Sequence, residues 1–194
     1  MRNGVENFKK YLTGIIQMDD DTFNLCLDFL KIEEIKKGDY FITEGRVCKR
    51  IAYINEGLFR IYYLKDGVEV NTCFCKENSI TSSFESFVNN KPSKEFIQAI
   101  ENSTLVTISN DNLSNLYELS PKWQSVSRLL TEKECLRLSS RAKSLSFETA
   151  KEKYQNLLIN QPEIIQRVSI QDIASYIGVS RETLSRIRSK IAIK

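Results

Sequence analysis

The placement of glycine constrains this chain more than any other feature. Of its seven glycines, four (Gly38, Gly45, Gly57 and Gly67) fall within thirty residues, and none lies between Gly67 and Gly178. Glycine supplies the positive φ that tight turns need and weakens helix interiors. The glycine-spaced stretch therefore reads as β-structure. Runs over 51–54, 58–64 and 68–74 are rich in β-branched and aromatic residues, and Asn55-Glu56-Gly57 and Lys65-Asp66-Gly67 separate them as turns. Two further strands are predicted over 95–100 and 104–108. Many short, evenly spaced strands predict a barrel or jelly roll.

Helical patterns flank this region. Two helices are predicted ahead of it, over 5–16 and 20–30, the second opening on Asp19-Asp20-Asp21, whose charge suits a helix N-terminus. Behind it, Pro121 suits a first helical turn. Trp123, Val126, Leu129, Leu130, Leu136, Leu138, Ala142 and Leu145 then recur near helical spacing with no glycine or proline among them. About 25 residues at 1.5 Å each make a helix of about 37 Å. Such a helix lies on the barrel as core, presents a face to its own copy, or does both on different faces. Ser146 can cap a following helix over 147–159, which Asn160-Gln161-Pro162 ends. The expected division is a β-roll domain at 1–120, the long helix at 121–146 and a small helical domain at 147–194.

Composition narrows the chemistry. The 194 residues contain no histidine, which excludes Ser–His–Asp triads, histidine-held zinc or haem, and imidazole acid–base catalysis. No enzyme activity and no cofactor are expected. No apolar run approaches the roughly 20 residues that span a bilayer, so no membrane partner is expected. Five scattered cysteines without a secretory leader suggest a reducing, cytoplasmic setting and structural thiols. The net charge is only +3, but it is unevenly placed. Residues 1–146 hold 20 basic and 20 acidic side chains, whereas 147–194 hold 8 and 5.

The segment 169–188 carries the functional signal. Ser169 and Asp172 have the S-x-x-D spacing of a capping box. Ile170, Ile173, Ala174 and Ile177 form an apolar helical face, and Gly178 permits the left-handed backbone that ends the helix. Val179 plugs the turn, Ser180 can cap a second helix, and Leu184 with Ile187 holds that helix to the core. Arg181, Glu182, Ser185, Arg186 and Ser189 then face outward. This is a helix-turn-helix by geometry. Arginine pairs with guanine, and a carboxylate accepts from cytosine's amino group, in the major groove. The plainer alternative is a solvated face of mixed charge; the glycine turn and the small Ala174 favour DNA reading.

The stretch 180–186, Ser-Arg-Glu-Thr-Leu-Ser-Arg, resembles the recognition helix of the Crp/Fnr family of bacterial transcription regulators. Lys37-Gly38-Asp39, Glu44-Gly45, 53–57 and Asp66-Gly67 resemble that family's cyclic-nucleotide-binding-type β-roll. The resemblance covers about residues 8–192. It implies an α+β fold: an N-terminal β-roll sensor with flanking helices, a long dimerisation helix, and a winged-helix-type helix-turn-helix domain. It implies a cytoplasmic homodimer reading palindromic double-stranded DNA, with RNA polymerase as a further partner. Arg181, Glu182 and Arg186 would read bases. Ser169, Gln171, Ser180, Thr183, Arg188 and Lys190 would contact phosphates.

The effector side departs from the family pattern. Members that bind cyclic AMP use Gly-Glu for the ribose and Arg-Ser for the phosphate. An ungapped register puts Ser82-Ser83 and Ser93-Lys94 there, and Leu138-Ser139 where the long helix would meet the base. Lysine offers a point charge where arginine offers a fork. Ser83, Phe84, Ser93, Lys94, Leu138 and Ser139 therefore outline a candidate effector pocket that does not suit cyclic AMP. Phe74, Phe84, Phe87 and Phe96 either line it as an apolar site or are plain core. The effector is a different small molecule or none. The alternative reading is a small-ligand-binding β-barrel whose C-terminal helices serve oligomerisation only.

Overall fold

A computed structural model describes residues 2–192 of the chain. In chain order the elements are α1 (Arg2–Thr13), α2 (Asp20–Asn24), a 3₁₀ turn (Leu27–Phe29), β1 (Leu30–Ile35), β2 (Tyr40–Ile42), β3 (Arg50–Glu56), β4 (Phe59–Lys65), β5 (Val68–Cys75) and β6 (Ile80–Thr81). Then follow α3 (Phe84–Asn89), β7 (Phe96–Ala99), β8 (Ser103–Ser109), α4 (Asn110–Leu119), α5 (Pro121–Phe147), α6 (Ala150–Asn160), α7 (Pro162–Arg167), α8 (Ile170–Ile177) and α9 (Arg181–Ala192). The strands form two four-stranded sheets, β1-β8-β3-β6 and β2-β7-β4-β5. By mutual packing the chain forms two compact units, one of 1–61 and 75–134, the other of 62–74 and 135–194. The first is mixed α and β, and the second is mostly helical.

The first unit is built on alternation. In β3 and β8 alternate side chains face opposite sides of the sheet. Ala52, Ile54 and Leu105 are fully buried, as are Leu58, Phe59 and Ile97. Tyr53 and Val106 join Phe8, Leu12, Phe23, Cys26, Leu116, Trp123 and Val126 in a cluster where α1, α4 and the start of α5 pack against a sheet. Tyr53 lies 5.2 Å from the rings of both Phe8 and Tyr11, and Trp123 Nε1 donates to the Thr22 carbonyl at 3.0 Å. Between these helices and the sheet a cavity of about 60 Å³ remains, lined by Leu12, Cys26, Tyr53, Trp123 and Leu130 among others. Ligand pockets typically measure about 300–1,000 Å³, so it is a packing void. Burial pushes the Cys26 thiol up to about 12, which leaves it protonated.

The structure departs from the sequence expectations at several elements. The helix predicted over 20–30 is only α2, and the chain then enters β1, paired antiparallel with β8 from Leu30↔Ile108 to Ile35↔Ser103. Lysine and glutamate alternate poorly with the apolar residues of β1, so long-range pairing rather than local propensity decides it. α3, α4, α7 and the short β2 and β6 were not anticipated either. The long helix runs one residue further than expected, through Phe147, so Ser146 caps nothing. The next helix is capped by Thr149, whose Oγ1 accepts from the Glu152 N–H at 3.3 Å while Glu152 accepts from the Thr149 N–H at 2.8 Å. Those two bonds form a reciprocal capping box.

Candidate nucleic-acid interface and effector pocket

The helix-turn-helix lies wholly in the second unit. Ser169 caps α8, accepting from the Asp172 N–H at 3.1 Å, and its hydroxyl donates to Asp172 Oδ2 at 2.6 Å. Ile173, Ala174 and Ile177 are buried with Tyr154, Leu157, Ile164 and Val168 as the core of this unit. Gly178 sits at φ 86°, ψ 37°, and the N–H groups of Gly178 and Val179 both donate to the Ala174 carbonyl. A side chain there would strain the left-handed backbone. Ser180 Oγ accepts from the Thr183 N–H at 3.2 Å and starts α9, and Leu184, fully buried, pins that helix down.

Leu184 facing inward leaves Arg181, Glu182, Ser185 and Arg186 exposed along one side of α9. Arg186 Nη2 donates to Thr183 Oγ1 at 3.3 Å, which steers the guanidinium toward the helix start. The Glu182 carboxyl is held below the usual carboxylate range, first by its own backbone N–H, then by the Ser180 hydroxyl and the two arginines. It is an acceptor at neutral pH. Around the two helix N-termini, Ser169, Gln171 and Ser180 are exposed and Thr183 is half-buried. Lys190 is exposed one turn along α9 from Arg186, and Arg188 is half-buried. The expected base-reading and phosphate residues thus gather on one small unit, with donors and an acceptor on a helix face and helix N-terminal N–H groups beside them.

Of the candidate effector residues, Ser83, Phe84, Ser93 and Lys94 lie in the first unit. Ser83 and Ser93 are buried and their hydroxyls are 2.9 Å apart. Ser93 Oγ also donates to the Glu95 carbonyl at 2.8 Å and accepts from the Glu95 N–H at 3.1 Å. Ser82 Oγ donates to the Arg50 carbonyl at 3.1 Å. Lys94 is exposed and paired with Glu85 at 3.0 Å. Phe84 is largely exposed, whereas Leu138 and Ser139 are exposed residues of the other unit. Of the four phenylalanines, Phe87 is buried, Phe96 lies 5.9 Å from Tyr40, and Phe74, which belongs to the second unit, meets Tyr176 of the same unit at a tilt, 5.2 Å between ring centres.

Two features were not located by sequence reasoning, which expected α5 to present a face to its own copy without placing that face. Thr131, Cys135, Leu138, Ala142 and Leu145 are all exposed on α5 at alternating spacings of four and three, a signal legible in the sequence as a heptad seam. The second is a set of contacts that residues 69–74 and Arg141 make with α8. Those pairs are about 35 to 106 residues apart, and no local pattern marks them.

Two family models match the chain in tandem: the cyclic nucleotide-binding domain over residues 32–120, and the bacterial regulatory proteins of the crp family over residues 167–190. The chain belongs to the Crp/Fnr family. Solved structures of similar fold cover nearly the whole of this Crp/Fnr protein. The c-di-GMP-responsive global regulator CLP of Xanthomonas campestris superposes with a TM-score of 0.70 at 17% identity, over 90% of this chain and 92% of its own. FixK2 of Bradyrhizobium japonicum gives 0.68 at 18%, over 84% and 85%. The catabolite activator protein of Thermus thermophilus gives 0.59 at 16%, over 94% and 86%. At these identities the likeness concerns the fold. No curated protein sequence matches the chain. The Crp/Fnr protein thus has the fold of a transcription regulator, with a cyclic-nucleotide-binding-type domain and a helix-turn-helix DNA-binding domain. No described helix is long and apolar enough to cross a membrane.

Proposed function

We propose that this protein is a homodimeric, sequence-specific transcription regulator of the cytoplasm that reads palindromic DNA with α9. Arg181, Glu182 and Arg186 contact base edges, and Ser169, Gln171, Ser180, Thr183, Arg188 and Lys190 contact phosphates. The observation that carries this reading is the exposed Arg–Glu–Arg face of a helix that Gly178 and Leu184 hold rigidly beside α8. Two such helices from a symmetric dimer reach successive turns of a duplex.

The dimer forms along the heptad seam of α5. In a parallel, in-register pair, a residue on the seam faces its own copy. Cys135 is such a residue, and it is the one exposed cysteine of the five. Mild oxidation with copper–phenanthroline is expected to join two chains through Cys135, giving a dimer on non-reducing gels. Cys135→Ser should remain a single chain under the same treatment. Wild-type protein that stays a single chain, with its Cys135 thiol still open to alkylation, would contradict this arrangement.

The roll domain is proposed to have lost cyclic-AMP binding. A ligand phosphate at Ser83 and Ser93 would have to break a buried hydroxyl pair whose bonds are already made within the protein, and no guanidinium fork stands there to compensate. Cyclic AMP at millimolar concentration is expected to leave the melting temperature unchanged. A saturable upward shift would overturn this assignment.

A further inference from the structure

Within the second unit, the outer part of the β4–β5 hairpin is tied to α8. The Asn71 N–H donates to Ser175 Oγ at 3.0 Å, and Ser175 Oγ donates to the Glu69 carbonyl at 2.8 Å. Asn71 Nδ2 donates to Asp172 Oδ1 at 3.1 Å. Asp172 is the residue whose other oxygen accepts from the capping Ser169, so the tie and the cap share one carboxylate. One residue along α8 from Ser175, Tyr176 meets the Phe74 ring at a tilt, 5.2 Å between centres. Tyr176 is also met from α5: the Arg141 guanidinium lies 3.7 Å from its ring centre, and Arg141 Nη2 donates to its carbonyl oxygen. Hairpin and long helix therefore both grip α8 near its C-terminal end. None of these contacts uses Arg181, Glu182 or Arg186.

The chemistry of the joint indicates a role beyond filling space. Asn71 is 2% exposed, and its Oδ1 has no hydrogen-bond partner among the described residues. Burying an amide with an unpaired acceptor costs stability that an apolar side chain would not. What the amide adds is direction, because its bond to Asp172, beside the backbone bond from Asn71 N–H to Ser175, is made in one register of hairpin against helix. A helix fixed in register aims the recognition helix that follows it after a single glycine turn.

We propose that Asn71, Ser175 and Arg141 are positioning residues that set which half-site spacing the regulator accepts. This rests on the homodimeric DNA-reading function proposed above. The joint aims α8, α8 aims α9, and two aimed copies suit one separation of half-sites.

The test compares affinities for a single half-site and for palindromes whose half-site spacing changes one base pair at a time. Asn71→Asp keeps the shape of Asn71 but sets a second carboxylate against Asp172. It is expected to weaken the best palindrome about tenfold, to flatten the preference among spacings, and to leave half-site affinity within about twofold. The reciprocal exchange, Asn71→Asp with Asp172→Asn, restores donor and acceptor and should restore the spacing preference. Ser175→Ala removes a single hydroxyl and should show a smaller loss of the same kind, so it keeps the test if Asn71→Asp does not fold. The inference is overturned if the variants keep the wild-type spacing profile, if half-site and palindrome affinities fall equally, or if the exchange restores nothing. A wild type that binds palindromes no better than single half-sites overturns the dimeric reading itself, and this inference with it.

Discussion

Gly57→Ala is expected to destabilise the first unit by about 2–5 kcal/mol, a large share of the roughly 5–15 kcal/mol that holds a domain folded. Gly57 has φ 105°, where an L side chain is strained. A Cβ built there would lie 2.0 Å from Ser103 Oγ, 2.6 Å from Ser103 Cβ and 2.8 Å from Ser103 Cα. Ser103 is buried and its hydroxyl donates to the Glu101 carbonyl at 2.8 Å, so it has little room to retreat. The Cα belongs to β8, which pairs with both β1 and β3. Pushing it away disturbs the end of β8 where Ser103 pairs with Ile35. Gly38→Ala is the control. Its φ is 90°, but nothing lies within 4 Å of the added Cβ, so only the backbone strain of about 1–2 kcal/mol applies. Denaturant melts of the two variants decide the matter. Equal losses would show that close approach to β8 is not what Gly57 provides.

On the DNA side the largest effect is expected from Arg181→Ala and Arg186→Ala. Each should lower affinity for a preferred duplex by about 1–3 kcal/mol and relax selectivity at one base pair per half-site, with little change on random duplex. The two side chains are exposed and belong to no core, so folding should be unaffected. Lys190→Ala, by contrast, removes a proposed phosphate contact, and its modest loss should be uniform across sequences and reduce the salt dependence of binding. Titrations of fluorescent duplexes at two salt concentrations separate these patterns. Arginine variants that lose affinity equally for preferred and random duplexes would move both residues from base reading to phosphate binding.

Much of this was legible locally. Asp66 and Gly67 adopt φ 53° and 77°, the two left-handed positions that an Asp-Gly hairpin turn implies. Ser169, Gly178 and Ser180 act in the structure as their spacing indicates, because caps and turns are decided within four residues. Elements decided by distant partners were not legible. β1 is a strand because β8 lies beside it, and 20–30 therefore failed as one helix. The pocket residues show the same limit from the other side. Ser83 and Ser93 are ten positions apart, and nothing local shows that their hydroxyls meet. The α5 seam was present in the sequence as a four–three spacing. Apolar residues on other faces, Trp123 and Val126 among them, obscured it by serving the core of the first unit.

Two copies of α9 are proposed to read a two-fold symmetric site. Selection of bound duplexes from a random pool by the purified protein tests it most directly. The expected result is a palindromic consensus with half-sites centred about one helical turn, roughly 10 base pairs, apart, lost at defined positions in Arg181→Ala and Arg186→Ala. Enrichment of no sequence, or of a single asymmetric half-site, would contradict it.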